Sequence, residues 1–188
     1  MTCVQGVSKM QQLTVWTIQP EPVWRALQAE SRLYVDQSKL PSDYVPPSYR
    51  WLADQLAQRW GAVNRLPWWV YCSLPDLRIF RFRHKSESEQ VRLQLLVPAQ
   101  ELVCFPREAW SRVYSGLTLH SDAKLNDPSE EAPNAEEEIT PETKESWKNL
   151  FLPTLDAYGS ESIGVVPSLE IGWVKRAQVF RGASAIRY

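Results

Sequence analysis

Residues 65–83, RLPWWVYCSLPDLRIFRFR, decide how this chain is read. PWWVYC (67–72) is short, apolar and rich in aromatic and β-branched residues. SLPD (73–76) has the proline-aspartate chemistry of a turn, and LRIFRFR (77–83) interleaves arginines with apolar positions. The segment therefore predicts strand, turn, strand. Side chains alternate across a strand, so Trp69 and Tyr71 share one face while Trp68 and Val70 share the other. Two uses follow for these rings. Either they fill a core beneath the helix that carries Tyr49 and Trp60, or one face walls a pocket in which a flat ring such as a nucleobase or nicotinamide stacks.

Working outward, LTVWTI (13–18) alternates with β-branched residues and reads as a strand. PEPVWRALQAE (20–30) follows it with prolines where the first turn of a helix tolerates them. In PPSYRWLADQLAQRWG (46–61) the residues Tyr49, Leu52, Leu56 and Trp60 recur every three or four positions and Gly61 stands where a helix stops. VRLQLLVP (91–98) sets Val91, Leu93, Leu95 and Val97 on one face and Arg92 and Gln94 on the other, which predicts a half-buried strand ending at Pro98. LVCF (102–105) continues the sheet, and PREAWSRVYSG (106–116) is a short helix with Trp110 and Val113 inward and Gly116 near its end.

Between 121 and 139 the chain becomes acidic and poor in large apolar residues, the composition of a mobile surface insertion. A helix resumes in TPETKESWKNLF (140–151), with Thr140 as its cap, Pro141 at the first position and Trp147, Leu150 and Phe151 on one stripe. SLEIGWVKRAQVFRG (168–182) supplies one or two last strands that return to the sheet. Strand runs are not regularly separated by helices. The expected fold class is α+β: a mixed or antiparallel sheet with about four helices packed on it, in a single compact domain over 13–188 behind a flexible lead at 1–12.

Composition narrows the function classes. Lysine and arginine number 21 against 22 acids, a net charge of −1, so no overall field draws nucleic acid or an anionic membrane. Cys3, Cys72 and Cys104 form no CxxC pair, and His84 and His120 cannot complete a zinc set at any usual spacing. Cys72 and Cys104 follow apolar neighbours and read as small core residues; the two histidines lie beside polar turns and read as surface residues. No signal-type or membrane-spanning apolar run is present. The expectation is a reduced, cytoplasmic, metal-free protein. GxSxG, P-loop, GxGxxG and HExxH patterns are all missing, which removes the hydrolase, nucleotidase, dinucleotide-fold and zinc-protease readings they signal. Nine tryptophans are the unusual number, and tryptophan serves both cores and recognition surfaces.

Three places carry chemistry. Asp76 and Arg78 stand two apart after a proline, so both can project from one side of an extended segment toward hydroxyls or phosphates, while Asp76 equally suits a turn-capping role. Arg78, Arg81 and Arg83 make a basic ribbon that also suits a solvated strand edge. Glu170 sits in an apolar terminal strand, where a carboxylate faces water, finds a partner, or points into a cleft to hold a ribose hydroxyl and stabilise charge on the sugar carbon.

LTVWTIQPEPVWRALQ, YRWLADQLAQR, PWWVY followed by PDLR, VRLQLLVP, the tryptophan of REAW and KESWKNLF, in that order, resemble the bacterial domain of unknown function 3841 family from about residue 13 onward. The chain departs from the family at Ser31, where a glycine is usual after the first helix. The resemblance implies a cytosolic bacterial or phage-borne protein. More distantly, a strand ending in threonine, a tryptophan-bearing helix and a late-strand glutamate resemble small ADP-ribosyltransferase-like domains, which bind NAD between short sheets. That likeness implies Trp16 or Thr17 as the first-strand anchor, Tyr71 stacked on nicotinamide and Glu170 as the catalytic carboxylate, and PDLR adds the expectation that Arg78 meets a phosphate. The family's first-strand histidine or arginine and its serine-threonine-serine motif are absent here. The expected function is a nucleotide-binding transferase of that type, using NAD. The alternative is a non-catalytic, tryptophan-rich protein-interaction module acting as a regulator or host-interference factor.

Overall fold

The period-two run ahead of Pro98 becomes the longest described strand. The computed structural model describes residues 11–36, 45–61, 65–75, 89–121, 127, 129, 139–152 and 162–181. In chain order these form β1 (Gln12–Pro20), α1 (Glu21–Glu30), β2 (Arg32–Leu33), β3 (Val35–Asp36), α2 (Pro47–Trp60), β4 (Arg65–Leu66), β5 (Trp68–Tyr71), β6 (Glu89–Pro98), β7 (Val103–Pro106) and α3 (Arg107–Tyr114). There follow α4 (Pro141–Ser146), a 3-10 turn at Trp147–Phe151, β8 (Ser162–Val166), β9 (Leu169–Glu170), a 3-10 turn at Ile171–Trp173 and β10 (Val174–Arg181). In β6, Val91, Leu93, Leu95 and Val97 are fully buried and the residues between them half-buried, as the alternation requires.

Six strands form one sheet in the order β10-β6-β1-β5-β8-β7, and every ladder is antiparallel. Two small antiparallel ribbons, β2 with β9 and β3 with β4, stand beside it. With four helices and this sheet the protein is of the expected α+β class. Two apolar cores lie against it. One joins Val15, Val91, Leu93, Leu95 and Val97 of β1 and β6 to Leu27 of α1 and Trp173. The other joins Leu52 and Leu56 of α2, Trp110 and Val113 of α3, and Trp147 and Leu150 to Phe105 and Val165. Val70 belongs to the first core and Trp69 packs on the second, so β5 is clad on both faces, which is why its residues are apolar almost throughout.

Local chemistry sets the helix ends. Pro47 and Pro141 occupy first-turn positions where a missing N–H costs nothing, and Thr140 Oγ1 accepts from the Thr143 N–H at 3.2 Å. Helix α2 stops at Gly61, in the left-handed region with φ 62°. Helix α1 stops in the same left-handed region at Ser31, φ 65°.

The structure differs from the sequence expectation in the short strands β2, β3 and β4, in the 3-10 turn that replaces the second half of the 140–151 helix, and in the two places that follow. SIGVV, β8, was not anticipated, yet it lies between β5 and β7 with all five residues buried. Five residues interrupted by Gly164 give too little periodicity to stand out. Of the two terminal strands, β10 returns to the sheet and pairs with β6, whereas β9 pairs with β2 away from it. The 77–83 strand, most of the acidic 121–139 segment and nearly all of the 1–12 lead lie outside the described residues.

Candidate functional site

The doubled tryptophan divides between the two cores. Trp68 packs on the α1 side, and its indole N–H donates to the Leu33 carbonyl at 3.1 Å. Trp69 packs on the α2 side, with ring centroids 4.9 Å from Trp110, 5.6 Å from Tyr49 and 6.0 Å from Phe105. Both rings are half-buried and packed against core, Trp69 alone beneath the helix that carries Tyr49 and Trp60. Among the described residues, burial leaves Trp69 Nε1, Trp60 Nε1 and Ser48 Oγ without a hydrogen-bond partner.

Trp16 is the cross-strand partner of Tyr71, so the two rings project side by side from β1 and β5. Trp16 is also the partner of Gln94, which puts Gln94 and, two residues away, Arg92 on that same face. Arg92 is already engaged, donating to the Pro75 carbonyl at 3.0 Å and to Gln178 Oε1 at 2.7 Å. Thr17 points through the other face and is 1 % exposed. Its hydroxyl donates to the Trp69 carbonyl at 3.0 Å and accepts from Gln19 Nε2 at 2.7 Å, which ties β1 to β5.

Glu170 is held elsewhere. In the β2–β9 ribbon it stands opposite Arg32, whose Nη2 lies 2.7 Å from Glu170 Oε1, and the buried Ser168 hydroxyl donates to the same oxygen at 3.2 Å. Arg32 Nη1 donates to the Tyr34 hydroxyl at 3.1 Å, and the Arg65 guanidinium lies 3.7 Å above the Tyr34 ring. Hydrogen bonding to Glu170, and then to Tyr34, raises the Arg32 pKa above its ordinary value. The β5–β8 ladder runs from Trp68 opposite Val166 to Tyr71 opposite Ile163. Glu170, four residues past Val166, therefore departs from the Trp68 end, while Tyr71 closes the other. The structure thus brings Trp16 and Tyr71 together and does not bring Glu170 to them. Asp76 and Arg78 lie outside the described residues.

A cleft of about 360 Å³ opens where the start of α2 meets β4 and the end of α3, lined by Val45, Pro46, Tyr49, Leu66 and Tyr114. The Tyr49 and Tyr114 rings meet edge to face at 5.9 Å, and Tyr114 is 54 % exposed. Among the described lining residues none is a carboxylate. Arg65, adjacent to Leu66 in β4, is exposed, alternates to the opposite face of the ribbon and lies over Tyr34 instead of lining this wall. Sequence reasoning noted Tyr49 only as part of a helix stripe and passed over Tyr114. The signal was there: Tyr114 is a large ring following Val113 at the end of a helix whose inward positions, Trp110 and Val113, were already assigned.

A second pocket, about 190 Å³, lies between α3 and the 3-10 turn at 147–151, with Ala109, Leu119 and Leu150 in its walls and Glu108 and His120 among its polar residues. Its strongest donors are already used. Arg112 gives its protons to the Thr118 and Asp127 carbonyls, and Asn149 Nδ2 donates to the Leu119 carbonyl at 2.7 Å. They hold the 117–121 segment in place. Among the described residues no group of three or more His, Cys, Asp or Glu could hold a metal ion, and no helix is long and apolar enough to cross a membrane.

No curated protein and no solved structure matches the chain. Residues 14–161, most of its length, match the family described as a domain of unknown function (DUF3841), from the first strand through both helices that carry the aromatic cleft, and the protein belongs to that family.

Proposed function

We propose that this chain is a binding domain for a nucleotide-class ligand whose flat ring enters the tyrosine cleft. The observation that carries the reading is the cleft's combination of size and wall: about 360 Å³, with one tyrosine ring half-buried and a second largely exposed. Ligand clefts begin at roughly 300 Å³, and every nucleobase offers a π-face to an aromatic wall whatever its sequence identity. The resemblance to NAD-binding transferases makes NAD the first ligand to test. Transfer chemistry would in addition require a carboxylate at the ribose, and Glu170 is occupied by Arg32 and Ser168. Binding without transfer is therefore the reading adopted.

Titration calorimetry with NAD, AMP and nicotinamide tests it. We expect saturable binding of at least one of the three, weakened about 5- to 150-fold by Tyr114→Ala, the span that loss of one stacking ring produces. No heat at millimolar ligand overturns it. If candidate targets gain the mass of ADP-ribose in a reaction that Glu170→Gln abolishes, the transferase reading replaces it. The protein-interaction alternative draws on a different place, where exposed Phe151 stacks on Trp51 at 5.8 Å beside exposed Leu152. A partner whose binding is lost in Phe151→Ser but kept in Tyr114→Ala would favour that account.

A further inference from the structure

Cys72 and Cys104 stand 32 residues apart in sequence, on segments separated by a whole strand, yet their Sγ atoms are 3.3 Å apart. Cys104 belongs to β7 and Cys72 directly follows β5, with β8 between them. Neighbours across an intervening strand are normally about 10 Å apart, twice the inter-strand spacing. Gly164 removes the obstacle. It is the β8 residue opposite both Val70 and Cys104, and a Cβ there would sit 3.2 Å from Cys104 Sγ. Without a Cβ there, Leu102 Cδ1, Val70 Cγ2 and Cys104 Sγ close in over the β8 backbone, and Cys104 Sγ reaches Cys72 Sγ. Both cysteines are half-buried, not sealed in the core.

We infer that Cys72 and Cys104 form a reversible thiol-oxidation site, taking a hydroperoxide as oxidant and closing to a disulfide over Gly164. The sulfurs need to close by about 1.3 Å to reach the bonded distance of roughly 2.05 Å, and the bend that holds Cys72 just past β5 must bring its backbone to within about 7 Å of Cys104. Cys72 is the attacking residue. The Cys104 S–H bonded to it stabilises its thiolate and lowers its pKa, while donation to Cys72 and burial raise that of Cys104. The Cys72 thiolate attacks the peroxide, forming an S–O bond as the O–O bond breaks; the departing hydroxide leaves as water with the proton Cys72 released. Cys104 then attacks the sulfenic sulfur, the S–S bond forms, the S–O bond breaks, and hydroxide leaves as water with the Cys104 proton. Two thiols give up two electrons and one peroxide accepts them. A small dithiol reverses the change. The bond staples the end of β5 to β7 over the buried strand between them.

The test uses the full chain, reduced and desalted, treated with about tenfold hydrogen peroxide. Peptide mapping distinguishes Cys3 from the other two without mutation. We expect a mass lower by two hydrogens, a crosslinked peptide pair containing Cys72 and Cys104, full recovery with dithiothreitol, and a melting temperature about 5–10 °C higher when oxidised. In Cys104→Ser the same treatment leaves a sulfenic acid at Cys72 that dimedone traps. The inference is overturned if Cys72 and Cys104 stay titratable while a free thiol in the same solution oxidises. It is also overturned if Cys72 pairs instead with Cys3 or another chain, or passes to sulfinic acid with no crosslink. Cys104→Ser that melts with the reduced protein but gives no dimedone adduct counts against Cys72 as the attacking thiol.

Discussion

Replacing Ser31 with glycine stabilises this protein by about 0.5–1 kcal/mol. Ser31 ends α1 with φ 65° and ψ −23°, the left-handed region that an L-residue enters at a cost of about 1–2 kcal/mol because Cβ crowds the carbonyl that follows. The residue cannot relax out of it. Its N–H donates to the Leu27 carbonyl at 2.9 Å, and its own carbonyl accepts from the Ile171 N–H at 2.8 Å, so the conformation is pinned by the helix on one side and by the β9 side on the other. Its exposed side chain makes no hydrogen bond to a described residue that would offset the strain. Glycine relieves the clash but gives back part of the gain, roughly 0.5–1 kcal/mol, through the greater freedom of its unfolded chain. The net is the figure above, equivalent to a rise of about 1–3 °C in melting temperature at this chain length. Urea unfolding with an unchanged m-value measures it, with Ser31→Ala as a control that stays within a few tenths of a kcal/mol of the parent. A Ser31→Gly protein no more stable than the parent refutes the reasoning.

Gly164→Ala places a methyl 3.0 Å from Leu102 Cδ1 and 3.1 Å from Val70 Cγ2, inside a strand buried on all five residues, so it costs about 1–3 kcal/mol; a loss under half a kcal/mol in denaturant titration refutes this. Thr17→Val deletes the hydroxyl that joins β1 to the Trp69 carbonyl and strands that carbonyl and Gln19, for about 1 kcal/mol, while ring binding in the tyrosine cleft is unchanged by calorimetry. Trp147→Ala removes a fully buried indole that donates to the Leu117 carbonyl at 2.8 Å and costs about 3–5 kcal/mol by thermal or urea unfolding. Cys72 alkylates with iodoacetamide at a lower pH than an ordinary cysteine, since its folded-state thiolate accepts a hydrogen bond. That pH profile moves upward in Cys104→Ala, where the donor is gone, and an unmoved profile refutes the coupling.

Glu170 separates what was legible from what was not. The sequence showed a carboxylate in an apolar strand and left three outcomes open. Which one holds depended on Arg32, a residue more than a hundred positions away that reaches it only because β2 pairs with β9. The doubled tryptophan behaved in the opposite way: alternation alone sent Trp68 and Trp69 to different faces, and both faces proved to be covered. The tyrosine cleft fell between these cases. Its two helices were readable, but the short strand β4 and its meeting with them were not.

The identity of the longer described strands and helices, the caps at Thr140 and Gly61, the class of fold and the membership of the family were contained in the chain's local pattern. They follow from side-chain periodicity and backbone preference, which act over a few residues. Tertiary structure alone decided that SIGVV lies within the sheet, that Glu170 serves an ion pair, and that Cys72 and Cys104 touch over Gly164. Each of these is a contact between residues far apart in the chain. Such contacts are selected by packing the whole sheet and its two cores at once, and no short window of sequence carries that energy.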